Sequence, residues 1–561
     1  MRSKRITIVC LTASLSLPVL AQVPYPTSPG WISARNDYST GAAWADINRD
    51  GWLDLVVANG NDMVRERVVV YFNSAGSLAS IPGWQSGDID YHGHVSVGDV
   101  DGDGYPDVAV SVYLGAAGFS QQGYVKVYRN NHGALESLPS WTSKDSMYSF
   151  SCAFGDANGD GRPDLAVACG ESYNNKPEYN RIYYNRNGLL DSLPGWKSAS
   201  SGYSYDATWS DFDRDGRLDL VFARERGANL LYRGYGDSVG TAPVWTSSDG
   251  PENANSLFAG RIDNDLYPDL AVSDNNQLGG SGRFKIYRNL SGTLEATPSW
   301  TSNFSGYGSG ITLADVTGDG KNDLIAGGWW QPCRIYVNQG GTFTKDPQWI
   351  STPTSVVEAI VVADVRNAAL DTLVSIEVGD GARKLFSLDR APLQDVLAVR
   401  VKNESLPRTA FCYDRENAWV SLGTAPPAGD TVAVVALASS HLDFAVSNWD
   451  VGVGNFLYLN NRVLHAGDED NLVAHVFALG QNYPNPFNPS TTIEYQLPTR
   501  AHVSLRIFTV LGQEVARLVE EVEEAGAQVV TFNASELPSG VYLCRLESGA
   551  SVAVTKLVVL K

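Results

Sequence analysis

The stretch DVDGDGYPDVAV (residues 99–110) decides how the rest of the chain is interpreted. It has aspartates at positions 1, 3 and 5, a glycine at position 6 and Asp107 at position 9. Several carboxylate oxygens on one tight loop form the hard, flexible oxygen cage that Ca²⁺ prefers. A helix–loop–helix calcium site needs Glu at position 12, where this stretch has Val110 inside an apolar run. The stretch therefore predicts a nine-residue calcium loop in a β-hairpin.

The same pattern recurs along the chain at intervals of about 50 residues. Good copies begin at Asp46, Asp156, Asp211 and Asp315, degenerate copies begin at Arg261 and Asp364, and a last copy at Leu442 keeps only the strand after the loop. Each period also has an aromatic strand ending near Asn, such as VKVYRN, and a Pro-x-Trp strand. Four short antiparallel strands in each period predict the blades of a β-propeller, an all-β fold.

The phase of the repeats predicts how the ring closes. The chain opens with a Pro-x-Trp strand at Trp31, and the last repeat ends on the aromatic strand 456–460, so the N-terminal strand is expected to complete the last blade. Counting the strands that follow the loops, the last two at Asp371 and Asp443, gives eight blades within residues 22–463. A seven-bladed ring with an irregular tail is the alternative, because residues 390–440 hold about one extra hairpin and no acidic loop.

Five loops carry a complete set of ligand side chains, so we expect about five structural Ca²⁺ ions. The expected ligands are Asp46, Asn48, Asp50, Asp54, Asp99, Asp101, Asp103, Asp107, Asp156, Asn158, Asp160, Asp164, Asp211, Asp213, Asp215, Asp219, Asp315, Thr317, Asp319 and Asp323. The fifth loop should bind more weakly, because Thr317 replaces a carboxylate or amide ligand.

The two degenerate loops are expected to be empty. In one of them the Arg261 guanidinium is expected to lie where the ion would be and to pair with Asp263, Asp265 and Asp269. The other copy, at Asp364, is one residue short.

The first 21 residues have the pattern of a secretory signal peptide, with basic residues, an apolar stretch and a small residue at the end. No later stretch has 18 consecutive apolar residues, so no membrane-spanning helix is expected. The formal charge of −20 argues against nucleic acids and anionic membranes as partners. Beyond the signal peptide the cysteine count is odd, and Cys152 and Cys169 fit either a disulfide or two buried thiols.

The acidic loop followed by the aromatic strand resembles the FG-GAP/VCBS repeats of integrin-α-like β-propellers. That resemblance implies calcium loops on one face of the disc and ligand binding on the opposite face. Residues 479–561, with QNYPNPFNPSTTIEYQLP, LPSGVYLCRL and KLVVLK, resemble a type IX secretion system C-terminal sorting domain. This second resemblance implies contact with that secretion machinery and a location outside a bacterial cell, either secreted or on the outer surface. The alternating strands of this region predict a small Ig-like β-sandwich, joined to the propeller by a linker over residues 464–478.

Aromatic residues are the candidates for ligand binding on the face opposite the loops. A tyrosine stands eight residues before the loop in five repeats, at Tyr38, Tyr91, Tyr148, Tyr203 and Tyr307. These tyrosines are expected around the mouth of the central channel, where they either stack on a ligand or pack between blades. Trp329, Trp330 and Trp449 lie in variable loops after the second strands, where recognition residues are common. The Pro-x-Trp tryptophans keep a fixed phase and are expected to pack between blades.

The chain is therefore predicted to be a secreted or cell-surface calcium-binding β-propeller that serves as a binding or adhesion module for carbohydrate or protein ligands. The alternative is a secreted carbohydrate-active enzyme, a glycosidase or a polysaccharide lyase, on the same scaffold. An enzyme is not the favoured interpretation, because no GxSxG, HExxH or phosphate-loop motif occurs. His92 and His94 lack an obvious third metal ligand, and no catalytic residue is predicted.

Overall fold

A computed structural model describes residues 23–250, 252–450 and 452–462, and most of the C-terminal region (478–479, 482, 485, 487–497, 501–509, 513–523, 526–548 and 551–560). The predicted signal peptide and nearly all of the predicted linker lie outside the described residues. Within them the regular structure is almost entirely β-strand, and the single helical element is the 3-10 turn Arg408–Ala410. None of the described helical structure is long and apolar enough to cross a membrane.

Seven antiparallel units of four strands form the main body. From the centre outwards, the inner strands are Ser39–Ala45, Tyr91–Gly98, Ser149–Gly155, Ser204–Ser210, Glu252–Gly260, Gly308–Ala314 and Val357–Ala363. The second strands are Asp54–Asn59, Asp107–Gly115, Asp164–Cys169, Asp219–Gly227, Asp269–Asp274, Asp323–Gly328 and Asp443–Asn448. The third strands are Val69–Tyr71, Gly118–Tyr128, Arg181–Tyr183, Leu230–Tyr232, Phe284–Tyr287, Arg334–Tyr336 and Phe456–Tyr458. The outer strands are Trp84–Gln85, Trp141–Thr142, Trp196–Lys197, Trp245–Thr246, Trp300–Thr301, Trp349–Ile350 and Trp31–Ile32.

The inner strands contact one another in ring order, and the seventh contacts the first, so the units are the blades of a closed propeller. Short hairpins follow some of the third strands (Asn73–Ser74 with Ser77–Leu78, Asn130–Asn131 with Ala134–Leu135, and Gly234–Tyr235 with Ser238–Val239). We call the end of the ring with the acidic loops the loop face. The opposite end, where inner strands begin and second strands end, is the mouth face.

The ring has seven blades, so the count of eight is wrong. The inner strand Val357–Ala363 pairs with Asp443–Asn448, and the N-terminal Trp31–Ile32 pairs with Phe456–Tyr458 to complete this last blade. Closure by the N-terminal strand is thus confirmed. The repeat copies at Asp364 and Leu442 are two parts of one blade, and the strand at Asp371 belongs to a unit inserted between them. The extra residues are therefore an insertion within blade 7 rather than an irregular tail.

Each outer-strand tryptophan packs against a tyrosine of the next blade, which confirms the predicted packing role of the Pro-x-Trp motif. The pairs are Trp31–Tyr71, Trp84–Tyr128, Trp141–Tyr183, Trp196–Tyr232, Trp245–Tyr287, Trp300–Tyr336 and Trp349–Tyr458. The ring planes are close to perpendicular, the favoured edge-to-face geometry. All seven tyrosines are fully buried, so these contacts form the seams between blades.

An asparagine after the third strand ties most blades to the preceding one. The side-chain amide of Asn130 donates to the carbonyl of Ile47 in blade 1 and to that of Pro106 in its own blade, at 2.8 and 3.1 Å. Asn73, Asn185, Asn289, Asn338 and Asn460 donate to a preceding blade in the same way. Blade 4 has Gly234 at this position and lacks the bond. The bonds satisfy buried loop carbonyls that would otherwise be costly to bury.

The inserted unit, residues 365–442, has its own small core. Its strands are Leu370–Val378, Leu385–Ser387, Leu393–Val401, Glu404–Ser405, Phe411–Asp414, Trp419–Leu422 and Thr431–Ser439. They form one sheet of four strands and one of three, which enclose apolar residues including Phe386, Val399 and Val434. The unit starts and ends on the loop face, where the other blades carry their acidic loop.

The C-terminal region forms two further sheets around one shared core. Its strands are Ala478–Leu479, Ser490–Leu497, Ala501–Thr509, Glu514–Glu523, Gly526–Asn533, Gly540–Ser548 and Ser551–Val559. The core includes Ile493, Leu505, Cys544 and Leu557. The Ig-like classification of this region stays a prediction.

The cysteines of the described residues are all buried and unpaired. Cys152 and Cys169 are therefore two buried free thiols and do not form a disulfide. Burial raises the pKa of the Cys152 thiol to about 12, so this thiol is unreactive in the folded protein.

Candidate functional site

The five complete loops share one hydrogen-bonding scheme. In blade 3, Asp156 accepts the amides of Asp160 and Gly161 at 2.9 and 2.8 Å, and Asp160 accepts the amide of Arg162 at 3.1 Å. The same bonds from positions 6 and 7 recur in the loops that begin at Asp46, Asp99, Asp211 and Asp315. In each of these loops the backbone therefore turns around the position-1 side chain.

The donor set suits a hard divalent cation. Carboxylate oxygens of Asp99, Asp101 and Asp107 lie within 4.8 Å of one another, and the loop at 211–215 has an equivalent group. In the fifth loop the Thr317 hydroxyl is buried without a hydrogen-bond partner, which leaves its oxygen available to an ion. Burial raises the pKa of Asp107 to about 8. Arg129 lies 3.3 Å from Asp101, and Arg233 lies 3.0 and 2.8 Å from Asp213 and Asp219, so these carboxylates attract positive charge. The residues therefore fit Ca²⁺, which oxygen ligands of this kind bind.

The position-9 aspartate also has a structural role. Asp107 accepts the amide of Val100 at 2.9 Å and that of Asn130 at 2.7 Å, so it joins its loop to the end of the third strand. Asp269 and Asp443 make equivalent bonds in blades 5 and 7, whose loops lack the calcium pattern. This aspartate therefore holds a blade together whether or not its loop can bind an ion.

The expected pairing of Arg261 inside its own loop is wrong. The Arg261 guanidinium donates to the carbonyl of Asp389 at 2.9 Å and lies 3.3 Å from the carboxylate of the same residue, in the inserted unit. Within the loop, Asp263 lies 3.6 Å from Arg288 instead. The inserted unit, which sequence reasoning did not identify, offers this arginine a partner outside the loop.

On the mouth face, the five predicted tyrosines lie at or one residue before the start of an inner strand, but they do not form one site. Tyr91 and Tyr148 pack with Tyr113 and Phe150 in an apolar cluster of blades 2 and 3. The Tyr203 hydroxyl donates to the side-chain oxygen of Asn175. The Tyr38 amide donates to Glu66. Their roles in ligand binding stay predictions.

Four of the predicted aromatic residues do come together, and we call Tyr307, Trp329, Trp330 and Trp449 the tryptophan cluster. Trp329 contacts the other three rings, with centroids between 5.7 and 6.3 Å apart. Trp330 and Tyr307 meet at 82° with centroids 5.6 Å apart, and they remain 52% and 36% exposed. Two exposed aromatic faces at a right angle form a corner that a flat ring or an apolar group can enter.

A buried glutamate in the inner strand of blade 7 fixes this cluster. Glu358 accepts the indole N–H groups of Trp329 and Trp449 at 2.7 and 2.9 Å. It also accepts the hydroxyls of Tyr205 and Ser309, at 3.0 and 3.2 Å. Burial raises the pKa of Glu358, and His94 and the hydrogen-bond donors act against that rise.

Trp330 has a backbone conformation that bulky residues rarely adopt. Its φ of 55° lies in the left-handed region, where a side chain of this size is strained. The strain is held by its neighbours, because the Trp329 amide donates to the carbonyl of Tyr307 and the Gln331 amide to that of Ser355. Strained residues of this kind cluster at ligand-binding sites.

A second polar group lies deeper in the channel. The Nδ1 atom of His94 is 3.4 Å from Asp206, which also accepts the hydroxyls of Ser151 and Ser256. His92 points to another partner, the carbonyl of Asn59, so the two histidines do not share a site. Asp206 and Glu358 were not predicted; an acidic residue five or six positions before the loop, inside an inner strand, is the signal that could have identified them.

Comparisons with known proteins agree with the repeat pattern. A model of the FG-GAP-like repeat matches residues 46–110, 112–167, 211–272 and 315–367, and a model of the FG-GAP repeat matches residues 93–128. A model of the secretion system C-terminal sorting domain matches residues 481–560. The chain thus carries FG-GAP repeats and, at its C-terminus, a type IX sorting domain.

Among solved structures, the chain is similar to BBS1N in complex with ARL6DN, in crystals soaked with mercury or with lead. The first match has 11% identity and a TM-score of 0.39, and it covers 74% of this chain and 95% of that one. The second has 12% identity and a TM-score of 0.37, with 73% and 98% covered.

Proposed function

We propose that this chain of FG-GAP repeats with a type IX sorting domain is a secreted or cell-surface calcium-binding module that binds an extracellular carbohydrate or protein ligand at the tryptophan cluster. The sorting domain indicates secretion or an outer-surface location. The observation that carries the binding proposal is the exposed corner formed by Trp330 and Tyr307 above the buried Glu358.

A carbohydrate is the ligand that this corner suits best. A sugar ring presents an apolar face that stacks on an aromatic ring, and hydroxyls at its edge that need hydrogen-bond partners. Trp330 supplies an indole that is 52% exposed, and the ring of Tyr307, which is 36% exposed, lies beside it. Glu358 fixes the indoles of Trp329 and Trp449, and the rings of Tyr307 and Trp330 pack against Trp329. Little conformational entropy is therefore lost when a ligand binds.

The proposed calcium ions stabilise this scaffold rather than contact the ligand. They lie on the loop face, at the opposite end of the strands from the tryptophan cluster. In this proposal calcium affects ligand binding through the stability of the scaffold and not by contact with the ligand.

The test is binding of the purified protein, in calcium, to a glycan array and to an array of extracellular proteins. Trp330→Ala is expected to weaken binding at least tenfold. Tyr235→Ala, which removes a tyrosine that is 56% exposed on another blade, is the matched control and is expected to bind normally. Full binding by Trp330→Ala would contradict the proposed site, and the array that responds identifies the ligand class.

A specific observation also favours the enzymatic alternative. Glu225 is buried at the mouth face, beside the Ser172 hydroxyl, and burial raises its pKa to about 7. A carboxyl group with a pKa near the working pH can act as a general acid. If the protein releases reducing ends from a polysaccharide and Glu225→Gln abolishes that release, it is a glycosidase. Binding without turnover supports the binding module.

A further inference from the structure

The inserted unit covers the loop face of the propeller. It replaces the acidic loop of blade 7, so both of its ends are anchored on that face. Leu385, Cys412 and Trp419 of the unit share an apolar cluster with residues of blades 3 and 4, including Trp209. The interface between the inserted unit and blades 3 and 4 therefore has an apolar core of buried side chains.

The unit contacts the acidic loops of several blades. In blade 3, the Ser421 hydroxyl donates to Asp156 at 2.7 Å, and Lys384 donates to the carbonyl of Gly159 at 2.6 Å. In blade 2, Arg408 lies 3.8 Å from Asp99. Asp156 and Asp99 are the position-1 ligands of their loops.

Blade 1 is held in the same way. Its Arg49 pairs with Asp395 of the unit at 2.9 Å, and Asn367 of the unit donates to the carbonyl of Gly51 at 3.1 Å. Many of these partners are loop backbone atoms or ligand carboxylates, so their positions depend on how each loop is closed.

A hairpin of the unit enters the central channel. The turn between Phe411–Asp414 and Trp419–Leu422 lines a channel cavity of about 150 Å³ through Asp414, Glu416 and Asn417. The Arg415 guanidinium donates to the carbonyl of Trp44, a fully buried residue of the inner strand of blade 1, at 3.0 Å. The hairpin therefore closes the channel from the loop face.

We infer that bound calcium holds the inserted unit on the loop face, so that the unit is a calcium-dependent stopper of the channel. The inference rests on the proposed calcium binding. Without an ion, the carboxylates within 4.8 Å of one another are only partly neutralised, by Arg129 beside Asp101 and by Arg233 beside Asp213. The remaining repulsion favours opening of the loops. Arg408 lies 3.8 Å from Asp99, which is an ion-pair contact beyond hydrogen-bond distance. Opening of the loops displaces the atoms that the unit contacts.

Coupling between calcium binding and docking of the inserted unit is reciprocal: contacts made by the unit also affect calcium affinity. Ser421 orients the ligand Asp156 from outside the loop, and such outer contacts commonly change metal affinity by about 10–100-fold. Ser421 is therefore a positioning residue for the blade 3 ion.

Cys412 reports on the docking of the unit, because it is buried between the unit and the blades. The full-length protein is treated with iodoacetamide below its melting temperature, with calcium or with EDTA, and labelled peptides are quantified by mass spectrometry. EDTA is expected to raise the labelling rate of Cys412 at least tenfold, while Cys333, buried in blade 6, stays protected. Equal rates for Cys412 with and without calcium, or an equal rise at both cysteines, would overturn the inference.

A matched pair of variants completes the test. Ser421→Ala is expected to raise the calcium concentration needed to protect Cys412, whereas Ser405→Ala, at an exposed position of the same unit, is expected to behave as the wild type. If both variants need the same calcium concentration to protect Cys412, Ser421 does not contribute to the coupling. Calorimetry measures calcium binding separately. If no calcium binds, the proposed calcium function and this inference both fail; if calcium binds while Cys412 labelling is unchanged, only this inference fails.

Discussion

Trp349 meets Tyr458 edge to face, with ring centroids 5.4 Å apart and ring planes at 88°. The tryptophan ends blade 6 and the tyrosine lies in the third strand of blade 7, yet the whole inserted unit separates them in sequence. The contact has the same geometry as the other six seams. It shows that the ring continues directly from blade 6 to the strand at Phe456–Tyr458 and that the inserted unit lies outside the circle of blades.

Loss of one seam should destabilise the propeller strongly. Trp349→Ala removes a buried indole, its contact with Tyr458 and its N–H bond to the carbonyl of Tyr25. The expected loss in the free energy of unfolding is about 3–5 kcal/mol, as for other buried large-to-small changes. Urea denaturation measures it. The control is Trp330→Ala at an exposed site, where a loss as large as that of Trp349→Ala would contradict the assignment of roles.

The asparagine bonds between blades should contribute to stability independently of the aromatic seams. Asn130→Ala removes two donated bonds and one accepted bond, and leaves buried carbonyls unsatisfied. We expect a loss of about 2 kcal/mol in the free energy of unfolding. The neighbouring exposed Asn131, changed to Ala, should cost less than about 0.5 kcal/mol. Thermal and urea denaturation compare the two, and similar losses would argue against the inter-blade role.

Calcium removal should lower the melting temperature, because an ion that binds only the folded loops stabilises the folded state. The blade 2 variant Asp103→Asn should weaken or abolish one binding site in calorimetry. Asp265→Asn changes the same position in the blade 5 loop, which is expected to be empty, and should leave the stoichiometry unchanged. A melting temperature that EDTA does not alter would exclude structural calcium.

His92 should make stability depend on pH below neutrality. Burial lowers its pKa to about 3, against about 6.5 in the unfolded chain. Between these values only the unfolded chain binds the proton, so the free energy of unfolding falls as the pH is lowered from about 6.5 to 3, by about 1.4 kcal/mol per pH unit. Above about pH 6.5 His92 is neutral in both the folded and the unfolded chain, so it does not contribute to the pH dependence of the free energy of unfolding.

His92→Asn should remove this slope while leaving the pH dependence above pH 7 unchanged. Urea denaturation of both proteins in steps from pH 8 to pH 4 measures the difference. If the free energies of unfolding of both proteins changed in parallel from pH 8 to pH 4, protonation of His92 would not be the cause of the slope.

The C-terminal region should direct export and contribute nothing to the propeller's binding. Removal of residues 479–561 is expected to keep the protein from the cell surface and the medium of a type IX-competent bacterium, while the purified remainder still binds its ligand. Cell fractionation and immunoblotting measure the first effect. The converse control, a fusion of residues 479–561 to an unrelated periplasmic protein, should be exported.

Local sequence patterns predict the blades correctly because each blade is assembled from residues that are close together in the chain. The loop, the strand after it, the aromatic strand and the Pro-x-Trp strand lie within one period, and their partners lie in the same or the adjacent blade. Asp107 reaches Val100 and Asn130, and Trp84 reaches Tyr128. Hence the sequence by itself determined the propeller, the positions of its acidic loops, its N-terminal closure and the role of the tryptophans.

Only the tertiary structure decided which distant residues meet. Blade 7 pairs Val357–Ala363 with Asp443–Asn448 across the inserted unit, and a periodic count cannot recognise one repeat divided into two. Arg261 reaches Asp389 because the unit folds over its loop, and Glu358 gathers Trp329 and Trp449 because three strands converge at the channel. These contacts depend on where the chain returns in space. A short-range sequence pattern does not show where distant segments meet, because the contacts between them are stabilised by packing between separate blades.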